Sequence, residues 1–162
     1  YDKNKICKKI VNVQPSFIEI IRNFSSSAYG EIYLLSYKMF LDNPITGIGI
    51  NNFKFLCNHI QIYKNMMANY DCASHPHNIY IQWLTEGGLI VFVLFIMYLI
   101  FFIYFIKNNS GEKKYKIISI AIIIIMFWPI MSTGSLIKNW YGVSTFFIIG
   151  LSMCLSKFRN NY

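Results

Sequence analysis

Nineteen consecutive residues, Gly88 to Ile106, carry no charge. At 1.5 Å of rise per residue a helix of that length crosses a hydrocarbon core of roughly 30 Å. Two more uncharged runs follow: Ile117 to Ile137, 21 residues centred on Ile122-Ile123-Ile124-Ile125, and Trp140 to Ser156, 17 residues bracketed by Lys138 and Lys157. Buried helices of a soluble domain are the alternative, but runs this long exceed what a soluble core needs. The chain as a whole is 55% hydrophobic and 14% charged, with the apolar residues concentrated after residue 78. The expectation is an all-α integral membrane protein: a polar region over 1–78, then three transmembrane helices at about 86–106, 117–137 and 140–156.

The formal charge of +8 raises nucleic acid as a partner, and the positions of the lysines argue against it. Lys107, Lys113, Lys114 and Lys116 fall between the first two runs, Lys157 and Arg159 follow the third, and the turn between the second and third holds only Lys138. Basic residues thus alternate by side, as the positive-inside rule requires, which puts 107–116 and the C-terminus in the cytoplasm and 1–78 outside. Residues 3–9 are lysine-rich, yet no clean apolar stretch of a signal peptide follows. An exported first segment therefore implies earlier spans ahead of Tyr1, so the chain reads as the C-terminal part of a longer membrane protein.

Within the polar region, Ile10 to Phe24 has helical apolar spacing interrupted by Pro15, suited to the membrane surface or to packing on other spans. Ser25-Ser26-Ser27 supplies a helix N-cap, and an amphipathic helix over about Tyr29 to Leu41 carries Ile32, Leu35, Met39 and Phe40 on one side. Asp42-Asn43-Pro44 stops it. The pair Gly47-Ile48-Gly49 lacks the third glycine and the preceding strand of a nucleotide-binding loop. It reads instead as a tight turn that lets backbone approach backbone, feeding a helix near Asn52. Cys57 and Cys72 would form a disulfide in an oxidising compartment, closing the loop by roughly 3 kcal/mol in the chain-entropy model. Zinc on Cys57, His59, Cys72, His75 and His77 and a pair of free thiols are the alternatives, but the spacings fit no standard finger; no metal is expected, and Cys7 and Cys154 have no evident mates.

The polar residues with the most chemistry are His75-Pro76-His77-Asn78, at the entrance to the first apolar run. If Pro76 points away, both imidazoles face one side, where they could act as base, acid or cation near neutral pH. Asn78 caps a helix from Ile79, whose free N–H groups would attract phosphate. Glu86, spaced four and four from Gln82 and Asn78, would look back toward the histidines or pair with a cation. Plain loop hydrogen bonding is the competing account, yet an ionisable cluster at a bilayer edge is usually functional.

Two segments in this order, Asp42-Asn43-Pro44-Ile45-Thr46-Gly47-Ile48-Gly49-Ile50-Asn51-Asn52-Phe53 and His75-Pro76-His77-Asn78 through Gln82-Trp83-Leu84-Thr85-Glu86-Gly87-Gly88, resemble the signature of the O-antigen ligase and polymerase superfamily. The resemblance covers about residues 28 to 106. It implies a multi-pass protein of the bacterial inner membrane with residues 1–78 as a large periplasmic loop. It further implies transfer or polymerisation of an undecaprenyl-diphosphate-linked glycan, O-antigen or another surface polysaccharide, onto a sugar or lipid A–core acceptor, with no cofactor. His77 is then the base or diphosphate contact, and His75 assists it. Asn78, Glu86, Asn52 and Tyr29 are substrate-binding candidates. Tyr29 falls near a position where members of the superfamily carry an arginine or histidine. Two other readings stay open here, a non-catalytic transporter or flippase fragment, for which Pro129 with Gly134 hints at a broken helix, and an inactive remnant.

Overall fold

The computed structural model describes residues 22–67, 69–109 and 111–158. The amphipathic segment expected over Ile10 to Phe24 lies almost wholly outside these residues, as does Cys7. The described residues are helical without strands: a 3-10 turn at Phe24–Ser26, α1 (Ala28–Asp42), α2 (Phe53–His59), α3 (Gln61–Met66), α4 (Ile79–Asn108), α5 (Lys113–Met126) and α6 (Asn139–Leu155). Of these, α4 is long and apolar enough to cross a membrane, and α6 is a shorter apolar helix.

Local signals set the ends of α1. Ser27 Oγ accepts from the Gly30 amide at 3.1 Å, the N-cap expected from the serine run. At the other end the Asn43 amide closes back on Met39 and Phe40 before Pro44. Ile32, Leu35 and Met39 go inward, into a first core with Phe53, Cys57, Tyr63 and Met67. Polar clamps surround that core. Asp42 takes Lys38 Nζ at 2.5 Å and the Tyr63 hydroxyl at 2.8 Å. The lysine above all, then the tyrosine, holds the aspartate below the usual carboxylate range, while burial and Asp42 push Tyr63 up to about 12. Buried Glu31 receives Asn69 Nδ2 at 2.5 Å. The Cys57–Cys72 disulfide forms as expected, with 5.9 Å between the Cα atoms, and ties α2 to the segment that leads into His75.

The long helix α4 breaks once, at Gly88, whose φ of 65° and ψ of −168° belong to glycine alone. Such a break strips neighbouring carbonyls and amides of their helical partners. The segment after Pro44 replaces them. Leu89 and Ile90 donate to the carbonyls of Pro44 and Ile45 at 2.9 and 3.3 Å, and the amides of Ile48 and Gly49 donate to Thr85 and Glu86 carbonyls at 3.0 Å each. Close approach requires that neither side carry a Cβ: one on Gly47 would overlap the Glu86 carbonyl, and one on Gly88 would overlap that of Ile45. The tight turn expected at Gly47 and Gly49 is thus present, with φ of 69° and 90°.

Beyond the break α4 continues for about 20 residues, roughly 30 Å. Phe95, Phe102 and Ile106 turn inward to meet Ile79, Ile123, Phe127 and Ile149 in a second core. Its other faces leave Leu94, Met97, Ile100, Phe101 and Tyr104 exposed, a surface suited to hydrocarbon rather than water. At the far end the loops interlock: Glu112 N–H donates to Phe158 O, and Lys116 Nζ to Lys107 O. Lys107, Lys116 and Lys157 are thereby gathered at one end of the bundle, while Lys138 starts α6 at the other.

The structure corrects one boundary. The helix expected over 117–137 starts earlier and ends at Met126, and 127–138 is irregular. Pro129 lacks an amide and disfavours a helical residue before it. The freed segment packs instead against the turn at His75.

Replacing Gly88 by alanine should cost more than about 2 kcal/mol, from the forbidden backbone region and the lost fit to Ile45. Thermal unfolding of the detergent-solubilised protein measures this, and an unchanged melting temperature would refute the role given to the break.

Candidate functional site

The turn before α4 is built from both sides. Asn78 Oδ1 accepts from the Tyr80 and Ile81 amides at 3.0 and 3.2 Å, so the side chain itself caps the helix. Its Nδ2 donates to Pro129 O at 2.7 Å. Asn78 therefore occupies the amides that were expected to face a phosphate, and its role here is to join α4 to the 127–138 segment. Tyr80 adds a bond from its hydroxyl to Phe127 O at 2.6 Å.

His77 sits in the left-handed region, φ 56°, and its carbonyl accepts from the Thr133 amide at 2.8 Å. With Pro76 buried, that backbone geometry brings the imidazoles together, 4.3 Å between ring centres. They differ in what remains free. His75 is 8% exposed, and its Nε2 lies 3.3 Å from Thr133 O while Nδ1 lies 2.9 Å from Ser74 Oγ. A carbonyl only accepts, so Nε2 bears the hydrogen and Nδ1 takes the serine hydroxyl's. Both nitrogens of His75 are thus engaged. The half-buried His77 ring makes no side-chain hydrogen bond among the described residues; it lies edge-on to Tyr29, 6.0 Å between centres.

Tyr29, from the first turn of α1, also exchanges a 3.3 Å hydrogen bond with Ser132. Three separate stretches of sequence (29, 75–78 and 127–138) therefore converge. Glu86 makes no hydrogen bond to either histidine among the described residues: 1% exposed, it accepts from Gln82 Nε2 at 3.0 Å, and Gln82 also donates to Ser135 Oγ at 2.8 Å. Asn52 does not join the cluster. Its side chain donates to Ile48 O at 3.1 Å within its own turn. Among the described residues, no group of three or more His, Cys, Asp or Glu side chains is arranged to hold a metal.

Ser132, Thr133, Ser135 and Lys138 carry no motif of their own and reach the site only through the fold. Lys138 follows Ser135 by three residues, its amide donating to the Ser135 carbonyl at 3.1 Å. Its charge bears on both histidines. Burial first, then the Lys138 ammonium, keeps His77 below the ordinary histidine value. Burial first, then His77, does the same for His75. The one sequence signal for Lys138 was its isolation as the single cation of its turn.

A family model described as O-antigen ligase matches residues 10–96, more than half of the chain. The chain belongs to that family of membrane proteins. The match takes in Tyr29, Asn52, the histidine turn and the Gly88 break; the segment that clasps the turn lies beyond it. No curated protein and no solved structure matches.

A histidine with a lowered value binds its proton only below about pH 6.5. Between the folded and unfolded values the unfolded chain binds more protons, so the turn loses stability as pH falls through that window. Any activity that needs neutral His77 should persist to below pH 6.5 and then fall. Lys138→Ala should move this acidic limb of the kcat/KM profile to higher pH; an unmoved limb would contradict the coupling.

Proposed function

We propose that the chain carries the catalytic turn of an envelope glycosyltransferase, working on the periplasmic face of the bacterial inner membrane. The donor is a glycan on undecaprenyl diphosphate and the acceptor a sugar hydroxyl, on lipid A–core or on a growing polymer. One observation carries the reading: His77 presents a neutral imidazole with uncommitted nitrogens, on a turn clamped from both sides, beside a cation. His77 takes the proton of the acceptor hydroxyl as its oxygen attacks the anomeric carbon, and the bond from that carbon to the diphosphate oxygen breaks. The leaving diphosphate gains negative charge, which Lys138 can stabilise. His75 acts through His77, holding its ring in place, while Tyr29 and Ser132 border the acceptor side. Glu86 and Asn52 support the scaffold.

The two helix breaks, at Gly88 and after Met126, are closed by backbone and side-chain hydrogen bonds that fix the turn. That use of broken helices supports a built site over a transport passage. His77→Ala in the full-length gene product should lower glycan transfer at least about 100-fold at normal protein level. The measurement is the surface-polysaccharide profile of a host lacking its own ligase or polymerase. Restored long-chain lipopolysaccharide in the first host means ligase, and longer chains in the second mean polymerase. Near-normal transfer by His77→Ala would sink the catalytic assignment.

A further inference from the structure

Asn78, Gln82 and Glu86 are spaced four apart at the start of α4 and so share one face. Asn78 finds its partner at Pro129 O. Gln82, one turn on and buried, commits both hydrogens of its side-chain amide. One goes to Glu86 Oε2 at 3.0 Å and the other to Ser135 Oγ at 2.8 Å. Glu86 is fixed in its turn: it stands two residues before the Gly88 break, and its carbonyl takes the Gly49 amide at 3.0 Å.

Ser135 leads into α6. Its Oγ also accepts from the Ile137 amide at 3.3 Å, and its carbonyl accepts from the Lys138 amide at 3.1 Å. Lys138 is the N-cap residue of α6. Hydrogen bonds therefore run from the repaired break in α4, through Glu86, Gln82 and Ser135, to the backbone of Lys138. An apolar side chain would fill the place of Gln82 at lower cost, because a buried amide must find partners for its hydrogens. What the amide adds is a fixed register between the two helices. That register matters because the exposed Lys138 ammonium makes no ion pair among the described residues. With nothing gripping it, the placement of its backbone decides which groups its charge reaches.

We propose that Gln82 is a positioning residue of the site: pinned by Glu86, it fixes Ser135 and with it the start of α6, and so holds Lys138 within reach of His77. The assignment rests on the transferase reading only for the task given to Lys138. The titratable groups around His77 are His75 in its own turn, Tyr29 from α1 and Lys138 from the head of α6. Of these, Lys138 is the one joined to Gln82 through Ser135.

The test uses the full-length protein in lipid nanodiscs with isotope-labelled histidine rings, and follows the His77 resonance with pH. Its loss in His77→Asn identifies that resonance. Lys138→Ala should move the His77 midpoint up, since a neighbouring cation is gone. Gln82→Met, of similar size but without the donors, should move it in the same direction. Ser135→Ala removes the acceptor without touching α4 and should do the same, which keeps the test open if Gln82→Met fails to fold. The double variant Gln82→Met/Lys138→Ala should go no further than Lys138→Ala alone, because both act through one charge. In the host assay Gln82→Met should lower transfer by about 10- to 100-fold. A midpoint unmoved by the Gln82 and Ser135 variants, or moved by the double variant beyond Lys138→Ala, would overturn the proposal. The titration needs neither donor nor acceptor, so the two readings fail separately. An unmoved midpoint in a protein that transfers glycan leaves the transferase standing; the expected shifts in one that transfers none uphold the positioning and count against the transferase.

Discussion

The architecture depends on how one helix break is repaired. Gly88 takes α4 out of helical geometry, and the groups left bare would be costly to bury, most of all near hydrocarbon. Four backbone hydrogen bonds from the segment 44–49 replace the missing ones. The repair works only because Gly47 and Gly88 leave room for two backbones to touch. It also does something a continuous helix could not. It docks the first core, built on α1 and sealed by the Cys57–Cys72 disulfide, onto the start of α4, where the histidine turn lies.

The second break follows the same rule at lower cost. Pro129 ends α5 early, and the carbonyls released at Phe127, Pro129 and Thr133 become acceptors for Tyr80, Asn78 and His75. Helix termination in one element thus supplies the bonds that orient another. The polar turn is held by carbonyls that lie outside any helix, which fixes the imidazoles while leaving the ring of His77 uncommitted. Lys138 arrives at the same place because α6 starts directly after the irregular segment.

Much of this was legible in the chain. Uncharged runs located the apolar helices, serine and proline located the ends of α1, and Cys57 with Cys72 paired as the compartment argument expected. Asn78 was readable as a cap. The uncharged run 117–137 overstates its helix because a charge count is blind to a missing amide: Pro129 is uncharged, yet the helix ends at Met126. Asn52 was drawn into the candidate site by its place beside a glycine turn, yet its side chain serves that turn alone. Glu86 was correctly placed on the face of Gln82, but spacing along one helix could not show that both would meet Ser135 from another.

By itself, then, the sequence determined the helical class, the apolar lengths, the cap and turn chemistry and the presence of a histidine pair, because each depends on neighbours within a few residues. Only the tertiary structure decided that His75 is spent and His77 is free, that Tyr29 borders the His77 ring and holds Ser132, and that the charge of Lys138 reaches both histidines. Those facts depend on which distant backbone groups are left without helical partners, and on what comes near enough to satisfy them.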